Sequence, residues 1–170
     1  GLGDVYKRQV DANAAFQNYM WGMLDFPLYF QMNKVFCKGE AWGGVKWVLD
    51  QDDKYNDTNR LFTFLDNHDR SRFLANAGDN WAKLRLALAF QYAVRGIPVV
   101  YYGTEQNMAG DFKYTEDTIN YYNREMMSSF SENTTTFQYL RRLNRLRREY
   151  SDLFTQGVQR ELYYSCLLYT

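Results

Sequence analysis

The stretch Leu61-Phe62-Thr63-Phe64-Leu65-Asp66-Asn67-His68-Asp69 decides how the rest of the chain is read. Its first five residues, aromatic, aliphatic and β-branched, read as a buried strand. That strand runs without a break into two carboxylates, an amide and the chain's single imidazole. In parallel α/β proteins the groups that do chemistry collect where strands end, at their C-terminal edge. On this reading His68 and Asp69 lie at the mouth of a pocket. The competing reading is a turn that Asp66 and Asn67 fix by bonding nearby amides with their side chains.

Working outward, two more strand signals flank this one. Downstream, Ile97-Pro98-Val99-Val100-Tyr101-Tyr102 again enters a polar turn, Gly103-Thr104-Glu105-Gln106. Upstream, the run Met23 to Phe30 has strand composition, although Pro27 removes a ladder donor. The three centres are spaced by about 35 residues, the length of a strand–helix–strand unit. Helical patterns fill the gaps. Trp81, Leu84, Leu88, Phe90 and Ala93 recur at a helical period between an Asp79-Asn80 start and a Gly96 stop. Trp42, Val45, Trp47 and Val48 mark a shorter helix. Phe137, Leu140, Leu143 and Leu146 form the stripe of a last helix over 135–150. Strands alternating with helices give an α/β fold with a parallel sheet. A closed eight-fold barrel of such units needs roughly 250 residues. The pattern therefore fits either a small open α/β domain or the C-terminal part of a barrel. The connection 103–131 is long and irregular, as functional loops are.

Composition narrows the function classes. The 170 residues are 46% hydrophobic and 18% aromatic, which excludes disorder as the main state. Twenty Lys and Arg balance twenty Asp and Glu, so no global basic field exists to hold nucleic acid, and no apolar run is long enough to span a membrane. The basic run Arg141, Arg142, Arg145, Arg147 and Arg148 reads as the solvated face of the last helix. Cys37 and Cys166 are too few for a disulfide scaffold or a four-ligand zinc site and read as unpaired, inert thiols, with a single bridge between them as the alternative. With one histidine a multi-histidine metal site is impossible, and no metal ligands are assigned.

Two of these segments carry a resemblance. Phe64 to Asp69 resembles the "FxDNHD" motif of glycoside hydrolase family 13, the α-amylase family, at the end of barrel strand seven. Gly96 to Gln106 resembles its "GxPxxYYGTEQ" motif at strand eight. Gly22 to Phe26 is similar to strand six, Lys83 to Phe90 to the seventh barrel helix, and Asn123-Arg124 with Ser128-Ser129-Phe130 to the loop after strand eight. The resemblance implies the C-terminal part of a (β/α)8 barrel, from about strand six to helix eight, with the N-terminal half of the barrel missing from this chain. It divides the chain into a partial catalytic barrel over 10–165 and two ends, 1–9 and 166–170, that resemble translated sequencing adaptors.

The family cleaves or transfers α-linked glucans with retention, through a nucleophilic carboxylate and an acid/base carboxylate. By motif position Asp69 is the family's third carboxylate, which binds and distorts the sugar at the bond cleaved, and His68 is the neighbouring sugar-hydroxyl ligand. Arg124 is similar to an arginine that contacts a glucose unit further along the cleft, although Asn120 stands where the family often has an Asp. Asn67, Tyr121 and Tyr122 complete the candidate substrate contacts, and Tyr102 and Glu105 are expected to be structural. Neither the nucleophile nor the acid/base motif is found, so the chain alone is expected to be inactive. The implied parent acts on starch or glycogen, is favoured as secreted by the resemblance alone, and can hold calcium outside this segment. Alternatives are a glucanotransferase or α-glucosidase of the same family, or a non-catalytic barrel homologue of the kind found in transporter heavy chains.

Overall fold

The computed structural model describes residues 2–110, 112–114 and 119–160, with side chains from 8 to 110 and from 122 to 160. Three strands form a parallel sheet in the order β1 (Met23–Leu24), β2 (Leu61–Thr63), β3 (Ile97–Pro98). Met23 pairs with Leu61 and Leu24 with Phe62, while Phe62 pairs with Ile97 and Thr63 with Pro98. The strand with the polar cluster at its end is thus the central one. Gly96 makes the close pairing possible. Its φ of +89° suits glycine, and a Cβ there would lie 2.4 Å from the Leu61 carbonyl oxygen.

A helix α1 (Leu2–Phe16) precedes the sheet, and helices α2 (Phe26–Met32), α3 (Gly43–Leu49), α4 (Phe73–Asn76) and α5 (Trp81–Ala93) follow its strands. Helix α2 continues as one π-helical turn over Asn33–Cys37. Helix α6 (Thr135–Glu149) and α7 (Ser151–Gln156) close the described chain. Leu28, Met32, Val45, Val48, Phe73, Leu84, Leu88 and Leu140 meet in one core under these helices. Phe64, 1% exposed, stacks on Tyr29 at 4.9 Å. Gln91 is buried in α5 and donates to the carbonyls of Thr63 (2.8 Å) and Val99 (2.9 Å), tying the helix to both strands it covers. Among the described residues no helix is long and apolar enough to cross a membrane.

The α/β reading and the helix over 81–93, capped by Asn80 on the amides of Ala82 and Lys83, agree with the pattern. Several expectations need correction. The run 23–30 is not one strand: pairing stops at Leu24 and the rest is helix. Asp25 caps it by accepting from the Leu28 amide at 3.0 Å, and Pro27 sits in the first turn, where its missing N–H has no helical partner to lose. Strand pairing at β3 likewise ends by Pro98, although the Val99 amide still donates to Thr63 O at 2.7 Å. The connection 103–131 is not irregular throughout. It contains an antiparallel pair, β4 (Phe112–Tyr114) and β5 (Ile119–Tyr121), with Lys113 opposite Asn120. Arg147 is not on a solvated face: it donates to the carbonyls of Tyr92, Val94 (3.1 Å) and Gly96, and lies over the Phe154 ring. Leu146 is half exposed and falls outside the stripe that buries Leu140. Cys37 is a buried free thiol, pushed up to about 12 by burial, whereas Cys166 and the end 166–170 lie outside the described residues.

Candidate functional site

The turn after β2 is built from its own side chains. Asn67 Oδ1 accepts the Asp69 amide at 2.9 Å, and Asp66 Oδ2 accepts the Phe73 amide at 2.7 Å, which starts α4. Asp66 is 4% exposed, and burial pushes its carboxyl up to about 6 against the lowering effects of the Phe73 amide and the Arg72 charge. The turn reading of the motif holds, since Asp66 and Asn67 fix the turn, and the next two residues are presented outward to solvent. The side chains of His68 and Asp69 are 63% and 61% exposed.

The loop after β5 closes on this turn. Arg124, in a 3₁₀ turn over Tyr122–Arg124, donates from Nε to His68 O at 2.9 Å and from Nη2 to Asp69 Oδ1 at 3.1 Å. His68 Nε2 stands 3.3 Å from Asp69 Oδ2. One carboxylate oxygen thus faces a guanidinium and the other an imidazole, so Asp69 is oriented while its outer surface stays open. Charge-assisted contacts of this kind fix direction as well as energy. Tyr122 is exposed beside them, and the Tyr121 side chain lies outside the described residues, so its candidate contact does too.

A second layer supports the first. Arg72, whose side chain is fully buried, donates from Nε to Glu125 Oε2 (3.2 Å) and from Nη1 to Tyr102 O (2.6 Å), and covers the rings of Tyr101 and Tyr102. Glu125 Oε1 accepts the Gly110 amide at 3.1 Å, and Tyr102 Oη donates to Glu125 O at 2.9 Å, which gives Tyr102 the structural role expected of it. Gly103, at φ +83°, leaves the space that Met108 Sδ and Arg72 occupy. Residue patterns did not single out Arg72 or Glu125: a lone Arg before an apolar pair and a Glu in a polar loop carry no signal until the fold brings them together. Glu125 is turned toward Arg72, and Asp66 toward a backbone amide, so neither offers a second carboxylate beside Asp69. Among the described residues no three His, Cys, Asp or Glu side chains converge where a cation would sit, and no calcium site is drawn from them.

The arrangement presents an imidazole, an anion and a guanidinium side by side at the C-terminal end of a central parallel strand. It can accept and donate several hydrogen bonds to a polyol, and the anion can face positive charge developing on a sugar ring. Residues 5–142 match the family model described as the alpha amylase catalytic domain. The chain belongs to the alpha-amylase family. It is 33% identical over 167 residues to a beta/alpha-amylase of Paenibacillus polymyxa, covering 94% of this chain and 13% of that protein. It is 34% identical over 166 residues to a cyclomaltodextrin glucanotransferase of Geobacillus stearothermophilus, covering 92% of this chain and 22% of that one. Among solved structures, an Anoxybacillus alpha-amylase superimposes with a TM-score of 0.79 at 27% identity, over 91% of this chain and 34% of that chain. The alpha-amylase homology makes the three-stranded parallel sheet a fragment of a (β/α)8 barrel. The chain spans between about an eighth and a fifth of the length of these two curated relatives.

Proposed function

We propose that the chain is the segment from about strand six to helix eight of an α-amylase-like retaining glycoside hydrolase acting on α-1,4-glucans. In this reading β1, β2 and β3 are barrel strands six, seven and eight. The outer strands support it: Leu24 in β1 and Ile97 in β3 are 44% and 36% exposed, and Val99 just past β3 is 39% exposed, as inward or edge side chains are when neighbouring strands are absent. The observation that carries the function is Asp69, held between Arg124 and His68 at the end of the central strand.

Asp69 binds and stabilises the distorted sugar, His68 contacts a hydroxyl, Arg124 reaches a glucose unit further along, and Asn67 and Tyr122 line the approach. Hydrolysis with retention needs a nucleophile and a general acid on separate carboxylates. In this reading both belong to parts of the barrel beyond this chain, as does any calcium, and the 170 residues bind glucan without cleaving it. A glucanotransferase is the second reading, favoured by the cyclomaltodextrin glucanotransferases among the relatives. Maltoheptaose titrated into the purified chain, followed by calorimetry, tests the site. Binding that Asp69→Asn weakens about tenfold or more is expected, with no release of reducing ends from starch. Equal binding by wild type and Asp69→Asn removes Asp69 from the site, and reducing-end release by the chain overturns its inactivity.

A further inference from the structure

Asn123 is fully buried and sits one residue before Arg124. Its amide nitrogen lies 3.2 Å from Asn67 O, 2.8 Å from His68 O and 2.8 Å from Arg70 O. Two hydrogens thus serve three carbonyls of one turn, the turn that presents His68 and Asp69. Among the described residues the Asn67–Arg70 segment is also held from within. Its internal bonds are the Asp69 amide to Asn67 Oδ1 and the Arg70 amide to Asn67 O at 3.2 Å. The next residue along, Arg124, adds a bond to His68 O, and Glu125 holds Arg72, two residues past the segment.

From this geometry we infer that Asn123 is a positioning residue for the glucan site: its buried amide sets the backbone path that aims His68 and Asp69 outward. The inference rests on the glucan-binding reading for its consequence, but not for its geometry. Asn123 has no exposed surface with which to touch a sugar, so it acts through the two residues it holds. Its own Oδ1 is buried without a partner among the described residues. Its side-chain hydrogen bonds are therefore all donations to the turn, and a side chain of equal size with no N–H has none to offer. Three aligned carbonyl oxygens facing another oxygen repel it. Because Arg124 follows directly, a shift at 123 also moves the guanidinium away from Asp69 Oδ1. Position, not identity, of the sugar-contacting groups is what Asn123 controls.

His68 is the chain's single histidine, so its ring gives one unambiguous nuclear magnetic resonance signal. The test compares wild type, Asn123→Asp and Asn123→Ser, each as the full chain, by that signal, by the Asp69 amide signal, by maltoheptaose affinity and by thermal unfolding. Asn123→Asp keeps the size and removes both donors; Asn123→Ser keeps one donor on a side chain two heavy atoms shorter. In folded Asn123→Asp the His68 and Asp69 signals are expected to move toward those of an unstructured turn, with maltoheptaose binding weakened about tenfold or more, and Asn123→Ser is expected to fall between it and wild type. A residue serving only stability would lower the melting temperature while the folded fraction kept wild-type signals and affinity, and that result overturns the inference. If Asn123→Asp does not fold, Asn123→Ser decides alone: wild-type signals there overturn the inference. If wild type fails to bind maltoheptaose, the glucan reading falls, and displacement of the His68 and Asp69 signals still decides whether Asn123 positions the turn.

Discussion

Arg95 and Asp25 stand seventy residues apart in sequence and meet as a buried ion pair, the arginine 7% and the aspartate 0% exposed at the side chain. Arg95 also grips Asp52, from Nε at 2.9 Å and from Nη2 at 2.8 Å. Burial alone lowers the guanidinium's hold on its proton, but the two carboxylates outweigh it and the net direction is upward. The cluster joins the end of β1, the segment before β2 and the start of β3, so one side chain ties three successive units of the fold together. Arg95→Met is expected to leave Asp25 buried and unpaired, at a cost of about 3–5 kcal/mol. Urea unfolding of the variant is the measurement, and a loss under about 1 kcal/mol would show that the pair is dispensable.

Asp66 gives the chain a pH-dependent stability. Its folded value, near 6, lies above the ordinary 3.8, so the native state holds this proton more tightly than the unfolded chain does. The contribution is complete below about pH 4 and is lost as pH rises through about 6. Asp66→Asn keeps an acceptor for the Phe73 amide and removes the ionisation. Above pH 7 the variant is expected to be more stable than wild type by about 1–3 kcal/mol, with the advantage vanishing at about pH 4. Urea midpoints of both proteins at several pH values check this, and a constant difference across the range would refute it.

Cys37 should be inert in the native chain. It lies against the Phe73 carbonyl and Asn33, and burial holds it as a thiol rather than the reactive thiolate. Iodoacetamide at pH 7.5 followed by peptide mass mapping is expected to leave Cys37 unmodified until denaturant is added. Rapid labelling of the folded chain would show that the site opens readily.

Arg124 is expected to discriminate by glucan length. On the proposed reading, in which Arg124 reaches a glucose unit beyond the one at Asp69, Arg124→Ala should weaken maltoheptaose binding more than maltotriose binding, on top of a loss common to both from its bond to Asp69. Calorimetric titration with both oligosaccharides decides it, and equal losses for the two would place Arg124 outside the cleft.

Much of the fold was legible because its signals are local. The helix over 81–93 announces itself through Asn80 and a regular apolar period, and Phe64 to Asp69 marks a strand end by an abrupt change of character. The strand reading of 23–30 failed because its composition suits both elements, and the outcome turns on one bond, Asp25 to the Leu28 amide, together with a proline tolerated in a first helical turn. Arg147 was misjudged for a related reason. Its neighbours in sequence are solvated cations, and only the fold reveals three carbonyls within its reach. The same holds for Asn123 and Arg72, which bond across 56 and 30 residues respectively. A residue whose partners are backbone carbonyls leaves no complementary side chain to be read, so such anchors are the part of a site that residue patterns carry least.

The hold of Arg147 on Gly96 also orders events during synthesis. Gly96 leaves the ribosome fifty-one residues before the arginine that caps it. At about 5–20 residues per second the corner between α5 and β3 waits roughly 3–10 seconds with its carbonyls facing water. In that interval the third strand is available to the wrong neighbour, and α6 acts as a latch that arrives well after the corner it closes. Limited proteolysis of nascent chains stopped before and after residue 147 should therefore show the corner resistant only in the longer ones, making the end of α6 the point at which this part of the barrel commits to its shape.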